Sequence, residues 1–102
     1  MILTEEKQKE VDEIAVKVCK YFGVSEQDII NKSWDESTSN ARYFSWYFIH
    51  YKAGISAHKI ATLYSRTSRG IFKGIAKIKT RVNKQQCYKR MFDDLANILD
   101  LI

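Results

Sequence analysis

The chain has 102 residues, enough for one domain with a real core and too few for two. A hydrophobic share of 45% beside 28% charged residues excludes disorder as the default, and neither a bilayer-spanning apolar run nor a secretory signal can be found. The net charge of +5 conceals an asymmetry: residues 1–40 carry five Lys against nine acids, whereas residues 41–102 carry twelve Lys or Arg against three.

The first helix is predicted from near Thr4, with Glu5 and Glu6 in its first turn and Val11, Ile14, Ala15, Val18 and Phe22 at helical spacing. Gly23 ends it. Ser25 and Asp28 then form a short version of the capping box, which predicts a brief helix over Glu26–Asn31. The polar stretch from Lys32 to Ser39 reads as a loop, with Trp34 in it. Ala41–Lys52 holds Tyr43, Phe44, Trp46, Tyr47, Phe48, Ile49 and Tyr51, apolar almost all round a helical wheel, and is expected as the central core helix. Gly54 terminates it, and Ser56 caps a short helix over Ala57–Tyr64 that turns Ile60, Ala61 and Tyr64 inward.

After a tight Ser65-Arg66-Thr67 link, the chain enters its most informative stretch. In a helix from about Ser68, Ile71, Ile75, Ile78 and Val82 share one side, while Arg69, Lys73, Lys77 and Arg81 recur every fourth residue on another. One face is made to be buried and the other to meet negative charge. Thr67 or Ser68 is the expected cap. Asn83 marks a break, and a final amphipathic helix over Gln85–Leu101 is predicted to bury Tyr88, Met91, Phe92, Leu95 and Ile98.

Six helices and no sheet follow, an all-α bundle in a single domain over residues 1–102. A short helix, a three-residue turn and a longer helix with a basic face form a helix-turn-helix pattern. No acid at all lies between Glu36 and Asp93, so twelve positive charges over 56 residues go uncancelled locally, which suits a polyanion. Cys19 and Cys87, isolated and without C-x-x-C spacing, read as buried free thiols in a reducing compartment. With His50 and His58 they match no zinc spacing, so neither a metal nor another cofactor is expected. No nucleophile, base and orienting acid recur together, and catalysis is not expected.

The run Val18-Cys19-Lys20-Tyr21-Phe22-Gly23-Val24-Ser25, then Asp28, the Ala41-Arg42 pair and Lys59-Ile60, resembles the C-terminal DNA-binding domain of the bacterial replication initiator DnaA, an all-helical, Trp-repressor-like family. The likeness extends from about Val11 to the end of the basic helix. That family's signature G-R-D-H-T-T-V, followed by K-I, stands here as Ser65-Arg66-Thr67-Ser68-Arg69-Gly70-Ile71, then Lys77-Ile78. Arg66, Lys77 and Ile78 match, and the base-reading D-H-T is replaced by Thr67, Ser68 and Arg69. The family's minor-groove loop corresponds to the stretch around Lys32, where Trp34 occupies the arginine position.

What the resemblance implies is a DNA-binding module alone, since no G-x-x-x-x-G-K-[ST] phosphate loop is present and no nucleotide partner is expected. Such a module would act as a regulator or replication factor of a bacterium, phage or mobile element, cytoplasmic and nucleoid-associated. Double-stranded DNA is the expected partner and a membrane is not. A homodimer is one remedy for the few contacts of a single module. Arg66, Thr67, Ser68, Arg69 and Lys73 are the candidates for base edges, and Lys32, Arg42, Ser56, Lys59, Gly70 and Lys77 for the phosphate backbone. The alternative is a protein-interaction module that keeps the fold and has lost base reading.

Overall fold

The structure, a computed structural model, describes residues 3–31, 33 and 35–100. Among them are six helices and no strand: α1 (Glu5–Phe22), α2 (Glu26–Ile30), α3 (Glu36–Tyr51), α4 (Ala57–Tyr64), α5 (Ser68–Lys84) and α6 (Gln86–Ile98). None is long and apolar enough to cross a membrane.

Local chemistry fixes most boundaries. Thr4 caps α1 by accepting the Lys7 N–H, and Gly23 ends it at φ 72, in the left-handed region where a residue without Cβ is unstrained. Ser25 and Asp28 complete a reciprocal capping box on α2.

Three boundaries differ from the sequence reading, one of them the end of α6, which stops at Ile98. Helix α3 begins at Glu36, inside the stretch expected as a loop, because the Asp35 carboxylate accepts the Thr38 N–H at 3.0 Å and starts the helix before its apolar residues begin. The Ser33 hydroxyl, first, and the Thr38 amide then hold Asp35 below the usual carboxylate range. Helix α5 runs through Asn83 and stops only at Gln85, which takes extended backbone angles.

Helix α3 lies at the centre, in contact with α1, α2, α4 and α5. Its Phe44, Phe48 and Ile49 are fully buried with Ile14 and Val18 of α1, Ile60 of α4, Ile71 and Ile78 of α5, and Leu95 of α6. Phe44, Phe48 and Phe92 form a stacked series with centroids 6.3 and 5.5 Å apart. Helix α6 is joined to α1 by the Tyr21 hydroxyl, which donates to Asp94 at 2.7 Å. Burial, then that carboxylate, raise the Tyr21 phenol to about 12.

Three residues expected inside are not, among them Tyr51 of α3, which is 52% exposed. Ile98 is 41% exposed, and the buried apolar residue at this end is Leu99. Cys87 is exposed, whereas Cys19 is buried and its thiol is raised to about 11 by desolvation.

Candidate nucleic-acid interface

Helices α4 and α5 are separated by three residues whose conformations make a sharp turn. Ser65 caps α4 in the left-handed region at φ 53, and its N–H reaches back toward the last carbonyls of that helix. Thr67 then opens α5, its hydroxyl accepting the Gly70 N–H at 3.0 Å. A further bond ties the two helices: Ser68 Oγ lies 2.6 Å from His58 Nδ1.

On α5 the two faces separate as the periodicity requires. Ile71, Gly74, Ile75 and Ile78 are buried, while Arg69, Lys73 and Lys77 are exposed along the other side. Lys77 leaves α5 above the Tyr43 ring, 5.5 Å from its centroid. The fourth cation of the stripe behaves differently. Arg81 is half-buried, donates to the Tyr88 hydroxyl at 3.4 Å and sits 5.3 Å from that ring's centroid, while Tyr88 donates to Asn40 Oδ1 at 3.2 Å. Arg81 is therefore engaged in seating α6, and the ridge consists of three cations. Lys79 leaves from a different side and donates to the Tyr51 hydroxyl at 3.1 Å.

Arg42 requires the largest correction. Expected at a phosphate, it is 1% exposed, and its guanidinium donates to the carbonyls of Ile29 at 2.9 Å, Asn31 at 2.7 Å and Ser33 at 3.0 Å, with Asp28 at 3.4 Å. It satisfies the carbonyls that α2 leaves open at its C-terminal end and the chain beyond. Desolvation, then the nearby Arg66 charge, lower its pKa.

Arg66 also donates to the Asn31 carbonyl, at 3.0 Å, so the chain after α2 is fastened to the α4–α5 turn. Lys32 and Trp34 lie outside the described residues.

The other candidate residues divide by what already occupies them. Thr67 and Ser56 are exposed caps whose hydroxyls accept from Gly70 and Lys59. Ser68 is engaged by His58, and the Gly70 amide, expected near a phosphate, is taken by Thr67. Arg69, Lys73, Lys77 and Lys59 project from exposed positions.

Gly74 was not singled out by the sequence reading, yet it sets the spacing of α3 and α5. A Cβ on it would lie 2.8 Å from both Trp46 Cε3 and Tyr43 Cδ1. The available signal was a glycine on the isoleucine side of an amphipathic helix. Tyr43, Trp46, Arg66, Lys73 and Lys77 line the shallow groove that results. Among the described residues, no three His, Cys, Asp or Glu side chains converge as metal ligands.

Fold and surface together define an all-helical protein in which a short helix and a tight turn present a longer helix with a three-cation face. Over 80 residues the chain is 29% identical to the chromosomal replication initiator protein DnaA of Pseudothermotoga lettingae. That distant match covers 78% of this chain and 18% of the other protein. No family model matches the chain, and no solved structure matches it.

Proposed function

We propose that this chain is a DNA-binding module which lays α5 in the major groove of duplex DNA. The observation that carries the reading is the row Arg69, Lys73 and Lys77, exposed on the helix that follows the turn, within a span free of acidic residues. In this reading Arg69 and Lys73 approach base edges, where an arginine can donate to guanine O6 and N7 together. Lys77, Lys59 and the rim around Arg66 meet phosphates, which fix register without reading sequence. The distant relationship to a replication initiator supports a role tied to replication or to its regulation.

The Asp-free start of α5 gives its face a different chemistry from the signature of the initiator family, so the site it reads is its own. Selection from a random duplex library defines that site. Replacing Arg69 and Lys73 together by Ala should then abolish specific binding while leaving helicity and unfolding unchanged. A double variant that binds the selected site as wild type does would reject the reading.

A further inference from the structure

On the flank of α5 turned away from Lys77, a second basic surface is built over aromatic rings. Lys79 stands about 160° round the helix from Lys77. It is exposed, with its Nζ 3.1 Å from the Tyr51 hydroxyl and 5.3 Å from that ring's centroid. Beside it, the half-buried Tyr47, Val82 and Phe92 form the floor of a hollow of about 460 Å³, and Lys79, Asn83 and Lys89 form its exposed rim. The Tyr51 ring continues the floor outward, 4.7 Å from Tyr47 by centroids and 52% exposed. Among the described residues no acid lines the hollow. Asp93 reaches Lys89 at 3.6 Å from outside, in an exposed pair that another anion can displace.

We infer that this hollow is a second nucleic-acid site, for an unpaired base of a single strand that lies against Tyr47, Tyr51 and Phe92 while its phosphates meet Lys79 and Lys89. The inference does not rest on α5 entering the major groove, since Arg69, Lys73 and Lys77 take no part in it. The hollow falls within the range of about 300 to 1,000 Å³ that encloses an organic ligand. Its chemistry asks for a flat apolar group carrying anions, and an unpaired nucleotide is both. In a duplex the same base is paired and covered by its neighbours, so its face does not reach rings set below a rim. The Asn83 amide stands on that rim, where it can bond a base edge. The acidic start of α1 in a second copy would also meet the two lysines, but its surface there is formed by Glu5, Glu6, Gln8, Lys9 and Asp12, with no planar ring or aliphatic side chain to set on the rings. A single strand fills floor and rim together.

The test measures binding of the full chain to a short labelled oligothymidine and to its oligouridine counterpart by fluorescence anisotropy. Wild type should bind at least one of them, and the tighter of the two tells whether DNA or RNA is the strand. Tyr51→Ala should weaken that binding by about 5- to 150-fold, the range for one base unstacked from an aromatic ring, whereas Tyr51→Phe should keep most of it. Lys79→Ala should reduce the salt slope by about 0.7, the contribution of one phosphate of a single strand. Circular dichroism checks that these variants of exposed residues stay folded. Binding to the selected duplex should survive Tyr51→Ala, and binding to the single strand should survive Arg69→Ala with Lys73→Ala. Failure of wild type to bind either strand overturns the inference and leaves groove reading intact, as does a Tyr51→Ala variant that binds as wild type does. Single-strand binding abolished by the Arg69 and Lys73 double variant also overturns it, because the strand then lies on the other face of α5. Single-strand binding by a chain that recovers no duplex in selection supports the site and rejects only the groove reading.

Discussion

Arg42 and Arg66 donate to the same backbone oxygen, the Asn31 carbonyl, at 2.7 and 3.0 Å. Two like charges converge on one acceptor, and the two arginines do different things there. Arg42 is enclosed and satisfies several carbonyls at the end of α2 and just beyond it, while Arg66 approaches from the surface and fastens the turn before α5. Arg42→Lys should cost about 2 to 4 kcal/mol in urea unfolding, because one ammonium cannot span a fan of acceptors that a planar guanidinium covers. Arg66→Ala should cost about 1 kcal/mol or less, since its carbonyl keeps Arg42 and a repulsion is relieved. Equal costs for the two substitutions would contradict this division.

The contact between Gly74 and Trp46 makes a prediction opposite to helix propensity. Alanine in the middle of an exposed helix improves on glycine by about 1 kcal/mol. Here the added Cβ would stand 2.8 Å from the buried Trp46 indole and from the half-buried Tyr43 ring, both on α3. Gly74→Ala should therefore give a net loss of about 1 to 2 kcal/mol, read from the denaturation midpoint. At Gly70 the added Cβ would meet only Thr67 Oγ1, at 3.2 Å, and Gly70→Ala should stay within about 1 kcal/mol of wild type.

The two cysteines should differ in reactivity. Cys87 is exposed, and Cys19 is buried with its thiol raised to about 11. Native protein treated with iodoacetamide near neutral pH should gain one adduct by intact mass, on Cys87, and a second only in denaturant. Two rapid adducts on native protein would show that α1 does not seal Cys19. The raised value also carries a pH dependence. Burial favours the neutral thiol, so its stabilisation is complete below the ordinary thiol value and is lost as pH rises through about 11. Cys19→Ala should remove that part of the alkaline loss.

The six helices were legible because caps and periodicity agreed: Thr4, Ser25, Ser56 and Thr67 each stand where the backbone needs an acceptor. The start of α3 was not, since Glu36–Asn40 carries no apolar signal and its helix depends on Asp35 and on packing against residues distant in sequence. The exposed cations of α5 followed from spacing alone. The fate of Arg42 and Arg81 did not, because a long cationic side chain can reach solvent or turn back onto carbonyls and rings, and only tertiary neighbours decide. Gly74 was hidden for a related reason, as its neighbours Tyr43 and Trp46 lie on another helix.

The central claim is that α5 presents its cations to the phosphates and bases of a duplex. Its most direct test is the affinity for the selected duplex as a function of salt. About four to six phosphate contacts predict a slope of roughly −4 to −5 in log Kobs against log salt, falling in size by about one when Lys77 is replaced by Ala. Duplex binding that is indifferent to salt, or a slope that the Lys77→Ala variant leaves unchanged, would contradict the account.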